Sequence, residues 1–208
     1  GSYYENPNGI STDESKRDLH FQEDMSIRRA QLDKQKKVIS FSLWGTDPTY
    51  TIGALKNADL AKEVYPGWEC WFYVGKSVPK NTIAELYKKD NAKVIHMDEE
   101  GDWDGMFWRF LPASDPSVDI MISRDTDSRL SVRESAAVTQ WLEMGKRFHI
   151  MRDHPHHGTQ ILGGMWGVRG DCLSNMEDLI NEHKKGNYWQ VDQDFLKEKI
   201  YPVIENYA

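Results

Sequence analysis

From Val38 onward the chain alternates short apolar runs with stretches of helical spacing. Val38 to Trp44 is an apolar run that ends in Gly45-Thr46-Asp47-Pro48, and it predicts a strand closed by a turn. Ile52 to Tyr65 has the spacing of a helix and is stopped by Pro66-Gly67. A second strand is predicted over Trp68 to Val74, and a helix over Pro79 to Asp90 with its proline near the first turn. Lys93 to Met97 predicts a third strand. An acidic loop, Asp98 to Asp104, leads to a short helical stretch around Met106 to Leu111. Val118 to Arg124 follows, apolar and rich in β-branched residues, and reads as a buried strand; a helix begins near Ser131. Strand, helix, strand, helix, strand in that order is the signature of an α/β sheet whose strands run parallel and are joined by crossover helices.

Before Val38 the pattern changes. Gly1-Ser2 has the look of an expression scar, and the next residues are polar with charges of mixed sign, as in Asp13-Glu14-Ser15-Lys16-Arg17-Asp18 and Lys34-Gln35-Lys36-Lys37. Such a segment buries too little apolar surface to fold alone. Residues 1–36 therefore read as a leader or linker, or as a helix docked through Phe21, Met25 and Leu32, which fall near one helical face. Residues 37–208 read as the folded domain, excised from a longer protein that carries neighbouring domains.

Composition narrows the function. A formal charge of -7 and a pI near 5.5 argue against nucleic acid as a partner, since such binders present a basic face. No run of 18 or more apolar residues suggests a transmembrane segment, and no secretory signal opens the chain, so the expectation is a soluble, cytoplasmic domain. Cys70 and Cys172 are too few for a disulfide framework, which agrees with a reducing compartment.

The chemistry gathers at Asp125-Thr126-Asp127. An open α/β sheet binds its ligand beyond the carboxyl ends of its strands, and this pair directly follows the run ending at Arg124. Two carboxylates so spaced can hold a hard dication, Mn²⁺ or Mg²⁺, that keeps positions open for phosphate oxygens. Arg124 and Arg129 flank them, which makes sense if phosphate joins the two signs of charge. The plainer alternative is a surface turn in which each Asp caps a helix or folds onto nearby backbone. The chain has neither a Gly-x-Gly-x-x-Gly nor a Gly-Lys-Ser/Thr phosphate loop, so a nucleotide would be held in another way.

These blocks together carry a resemblance. An opening βαβαβ half without a glycine fingerprint is followed by Phe107-Trp108-Arg109-Phe110 and then by the Asp-x-Asp strand. Ile161-Leu162-Gly163-Gly164-Met165-Trp166-Gly167 comes next, then Asp192-Gln193-Asp194 at the start of a last helix. From about Val38 to Tyr201 the chain resembles nucleotide-sugar glycosyltransferases of the GT-A type. Small domains of this type in large algal viruses, which glycosylate their own capsid protein, carry a similar Ser-Arg-Asp-x-Asp-Ser-Arg stretch. The resemblance implies a GT-A (Rossmann-like) fold: a mixed, mainly parallel central sheet with helices on both faces. It also implies a nucleotide-sugar donor, UDP-linked by preference, and a glycan or glycoprotein acceptor. Asp127 would bind the cation directly, while Asp125 would touch the ribose or reach the cation through water. Ser42, Leu43, Trp44 and Tyr50 would line the nucleotide pocket, and Arg109 and Arg129 would contact the donor; Arg109 as a solvated helix charge is the plainer reading.

Gly163-Gly164 offers backbone that a sugar could approach closely, as related enzymes use a glycine-rich strand; a bend in an ordinary strand is the alternative. Trp166 and Trp189 could stack on sugar faces, although most of the 8 tryptophans must belong to the core. Asp192 and Asp194 are candidate catalytic residues by the resemblance: a general base if configuration inverts, a holder of the donor sugar if it is retained. The alternative for both is a helix cap. Among His154, His156 and His157, His154 is the candidate third metal ligand or a phosphate or acceptor contact. Two other classes stay open. One is a haloacid-dehalogenase-like phosphatase with Asp125 as nucleophile and Asp127 as acid/base, against which stand the three preceding strands. The other is a non-catalytic, calcium-dependent carbohydrate-binding module.

Overall fold

The structure, a computed structural model, describes residues 12–101, 103–151, 162–183 and 191–207. The chain divides after Lys34 into two units. The first contains α1 (Thr12–Lys34), a 23-residue helix on which Leu19, Phe21 and Ile27 are exposed.

The second unit is built on a six-stranded sheet: β1 (Lys37–Leu43), β2 (Glu69–Val74), β3 (Ala92–His96), β4 (Ile120–Arg124), β5 (Phe148–Ile150) and β6 (Met165–Arg169), in the order β3-β2-β1-β4-β6-β5. The first four strands pair in parallel, and β6 runs antiparallel to both of its neighbours, β4 and β5. The expected α/β class and its mixed, mainly parallel sheet are thus the observed ones. The apolar runs of the sequence form these strands because they are covered on both sides, as parallel sheets require.

Alternation along each strand assigns the two layers. Val38, Trp71 and Tyr73 pack with Trp108, and Met121, Trp166 and Val168 pack with Phe107 and Phe110. Trp108, Phe107 and Phe110 all lie on the 3₁₀ helix Trp103–Ser114, which therefore covers this face. It is joined there by α5 (Met176–Glu182) and α6 (Val191–Phe195). A π turn, Leu196–Ile200, and α7 (Tyr201–Asn206) complete the described carboxyl end. The opposite face carries Ile39, Phe41 and Leu43, with Phe41 stacked on Phe72 at 4.9 Å. Here α2 (Pro48–Val64) packs on β1 and β2 through Ala54, Ala58 and Ala61, whose small side chains let the helix sit close. The short α3 (Lys80–Tyr87) packs beside α2 and β3.

The last helix of this face, α4 (Val132–Met144), starts at Ser131 in a capping box with Glu134 and ends at Gly145, which adopts φ 72°. Glu134 also receives Arg124 Nε at 2.6 Å and the Tyr65 hydroxyl at 2.9 Å. Arg124 is therefore buried on the α4 side, and its expected place as a phosphate-facing neighbour of the acidic pair is corrected: a guanidinium there needs a buried counter-charge, and Glu134 supplies it.

Candidate active site

The strand order puts the site at a topological switch. β1 has β2 on one side and β4 on the other, so the chain leaves the ends of these two neighbours in opposite directions and opens a crevice beyond them. Ser42, Leu43 and Trp44 end β1 at this crevice, and Asp125, Thr126 and Asp127 end β4 there.

Asp125 does not stand alone. Arg109 reaches it from the 3₁₀ helix, one terminal nitrogen donating to Asp125 Oδ1 and the other to Asp192 Oδ2 at 2.9 Å. Asp192 is 1 % exposed and the Asp125 side chain 43 % exposed, so the guanidinium joins a buried carboxylate to one that faces the crevice. Burial works against the charge of Arg109, but Asp125 and Asp192 outweigh it and raise its pKa above the ordinary value. The backbone N–H of Arg109 donates to Ser42 Oγ at 3.0 Å, which ties the helix to the end of β1.

Gly163 and Gly164, just before β6, press against this cluster. A Cβ on Gly163 would collide with Arg109 and Asp192, and one on Gly164 with the Asp125 carboxylate. The space that the absent side chains leave is filled by the acid-arginine cluster, and this explains glycine at both positions. The Gly163 carbonyl accepts from Ser123 Oγ.

The loop that follows Asp125 is fixed by α2. Asn57, fully buried in that helix, donates from Nδ2 to the Ser128 carbonyl at 2.7 Å and accepts from the Leu130 N–H at 3.1 Å. One turn earlier Gly53 lets the Thr126 carbonyl approach, since a Cβ there would collide with it. Arg129 folds back on the same loop, donating to the Thr126 carbonyl at 3.2 Å. Tyr50 begins this stripe of α2, with its pKa raised by burial and by Asp127, Asp47 and Asp125. Sequence reasoning missed Gly53 and Asn57. Their signal was a glycine and an asparagine, two poor helix formers, inside an otherwise regular helix.

The structure brings Asp125, Asp127, Arg109, Gly163, Gly164 and Asp192 to one end of the sheet, with Arg129 and Tyr50 beside the Asp127 loop. Asp194 lies on the same turn as Asp192 but is exposed. Some expectations change. Leu43 is core, 1 % exposed on the α2 face, so its side chain lines no pocket. Trp166 is fully buried and packs on Phe110, because β6 turns it towards the 3₁₀ helix; it stacks on no sugar. Trp44 lies half-buried, edge-on to Trp108, beside Gly101 and Gly105. His154, His156, His157 and Trp189 lie outside the described residues.

Whether the residues suit a dication is decided by Asp127. It is exposed, and burial together with the neighbouring Asp125 raises its pKa, so the ionised pair repels itself and a cation would relieve that repulsion. Among the described residues no third His, Cys, Asp or Glu completes the pair into a closed cage. Two carboxylates with open positions fit Mg²⁺ or Mn²⁺, ions that take their remaining ligands from water and substrate phosphate.

No protein-family model matches the chain, and no curated protein matches it. Solved structures do. The mannosyltransferase PcManGT of Pyrobaculum calidifontis, in complex with GDP-Man and Mn²⁺, is 11 % identical over 76 % of this chain and 55 % of its own, with a TM-score of 0.50. The 4-diphosphocytidyl-2C-methyl-D-erythritol synthase of Anaerococcus prevotii is 10 % identical over 80 % of this chain and 83 % of its own, also at 0.50. TarS of S. aureus in complex with UDP is 13 % identical over 78 % and 53 %, at 0.49. At such identities the likeness is one of fold: the mixed α/β sheet expected for the GT-A type is the sheet that the mannosyltransferase shares. The chain spans about half the length of the mannosyltransferase. Among the described residues no helix is long and apolar enough to cross a membrane.

Proposed function

We propose that this chain is a cation-dependent glycosyltransferase that moves a sugar from a nucleoside-diphosphate sugar, UDP-linked by preference, to a hydroxyl of a glycan or glycoprotein. The observation that carries the reading is the placement of the half-buried Asp125 and the exposed Asp127 together at the switch point of the sheet, where an α/β fold binds nucleotides. Asp127 and Asp125 would hold Mn²⁺ or Mg²⁺, with His154 the candidate for a third ligand. A bound dication supplies charge stabilisation for the diphosphate leaving group. Trp44 and Tyr50 would flank the base and ribose, with Ser42 setting the end of β1 and Arg129 at the phosphates. Gly163 and Gly164 would serve the donor indirectly, by letting Arg109, Asp192 and Asp125 close up against the backbone.

Of the two carboxylates on α6, Asp194 is the remaining candidate for a general base if configuration inverts. Asp192, buried on Arg109, is suited to support rather than to proton transfer. Engagement of Asp125 by Arg109 weighs against the phosphatase alternative, whose nucleophile has to be free to attack.

The test is a calorimetric panel of UDP-, GDP-, dTDP- and CMP-sugars with and without Mn²⁺. Donor binding that requires the cation is expected, strongest for a UDP-sugar. No nucleotide binding, together with hydrolysis of p-nitrophenyl phosphate, would replace the proposal with the phosphatase.

A further inference from the structure

The clusters outside the acidic loop leave one arrangement that none of the roles above explains: a single arginine joins the two acidic motifs of the site from beneath. We infer that Asp192 is a positioning residue for the cation pair, acting on Asp125 through the forked guanidinium of Arg109 and touching neither cation nor substrate. The inference rests on the reading of Asp125 and Asp127 as the cation site.

Geometry and charge both lead to it. The two terminal nitrogens of Arg109 go to different carboxylates, Asp125 and Asp192, and their partners arrive from β4 and α6, 16 and 83 residues further along the chain. The Arg109 side chain is 8 % exposed and Asp192 1 %. In such surroundings opposite charges act strongly on one another, and removing one partner leaves the other uncompensated. Backbone prevents the cluster from rearranging. Gly163 abuts Arg109 and Asp192, Gly164 abuts Asp125, and the Arg124 carbonyl accepts from the nitrogen that serves Asp125 at 3.4 Å.

Arg109 and Arg129 against Asp125, Asp127 and Asp192 leave the cluster with negative charge in excess, which favours a cation. The sign of the coupling follows. The Asp192 carboxylate draws the guanidinium charge inward, and Asp125 keeps its attraction for a cation. With asparagine at position 192 the arginine is left to Asp125 alone and competes with the cation. Binding at the mouth of the site thus depends on a carboxylate that no substrate touches.

The test uses the full chain and reads melting temperature without Mn²⁺ and across an Mn²⁺ series, from which apparent affinity follows. Asp192→Asn is expected to weaken Mn²⁺ about fivefold or more, the low end of a typical coupling between sites. Gly163→Ala, which changes no charge but wedges a methyl group between Arg109 and Asp192, is expected to weaken it likewise. In the cation-free chain Asp125→Asn and Asp192→Asn should be non-additive, because each removes one end of the same bridge. An additive cycle overturns the inference, and so does an unchanged Mn²⁺ response in both Asp192→Asn and Gly163→Ala. Should Asp192→Asn fail to fold, Gly163→Ala carries the cation measurement by itself. A wild-type chain with no Mn²⁺ response sinks the cation reading instead, and the cation-free cycle then reports the bridge separately.

Discussion

At the scale of the residue, Asp127 shows how a site can be held ready at a cost to the fold. Burial and Asp125 raise its pKa. An acid whose pKa is higher in the folded chain favours folding while protonated, and that contribution is lost as pH rises through the folded value. At neutral pH the ionised group therefore works against the fold. Asp127→Asn should raise the melting temperature of the cation-free chain, abolish its response to Mn²⁺ and lower sugar transfer by ~10²-fold or more, the scale of one electrostatic contact in a transition state. A lower melting temperature with an intact Mn²⁺ response would refute the assignment. His149 on β5 runs the other way. Burial first, and Arg124 second, lower its pKa from 6.5 to about 4. The folded chain keeps this ring neutral, so its contribution is present above pH 6.5 and is lost as pH falls towards 4. Thermal melts between pH 7 and 4 should fall more steeply for the native chain than for His149→Gln. At this scale the acidic pair was legible because a polar motif directly follows an apolar run. The partners of Arg109 were not, since 16 and 83 residues separate it from them and only the fold brings them together.

At the scale of the element, α2 does more than cover the sheet. Its buried stripe of Ala54, Ala58 and Ala61 faces β1 and β2, while Tyr50, Gly53 and Asn57 recur at helical spacing beside the acidic loop. Two demands compete at Gly53. Helix propensity favours alanine there by about 1 kcal/mol, but the Thr126 carbonyl occupies the space. Gly53→Ala should therefore destabilise, by about 1–3 kcal/mol as overpacking does, and raise KM for the donor. Denaturant melts that show the usual gain of a glycine-to-alanine change would refute the close approach. Asn57→Ala leaves the Ser128 carbonyl and the Leu130 N–H without their partner and should cost about 2 kcal/mol. The strands β1 to β4 were legible as apolar runs bounded by turn residues, and the start of α4 as a serine before a helical run. β5 was not legible. It is a three-residue edge strand, too short to show a period, and is held by β6 rather than by its own pattern. The helix α5 left equally little signal in a polar stretch.

At the scale of the whole molecule, the βαβαβ opening was enough to read a parallel sheet, but the reversal of β6 was not, because antiparallel insertion depends on which strand edge is free when that segment arrives. That reversal gives the site its third side: running against β4, β6 starts where β4 ends, so Gly163 and Gly164 arrive beside Asp125. The central place of β1 matters as well during synthesis of the chain. Lys36 and Asp119, which meet where β1 and β4 begin, are 83 residues apart, whereas β2 follows β1 after a single helix. On the ribosome, β1, β2 and β3 can pair while β4 is still unmade. At ~5–20 residues per second, the inner strand of the finished sheet is an open edge for roughly 2–10 seconds. An apolar strand with unpaired backbone groups is a template for any other strand it meets. A strand at the centre of the mature sheet is thus the one most exposed to misassembly at birth, and slowed elongation between Val74 and Ile120 would be felt as aggregation of the newly made chain.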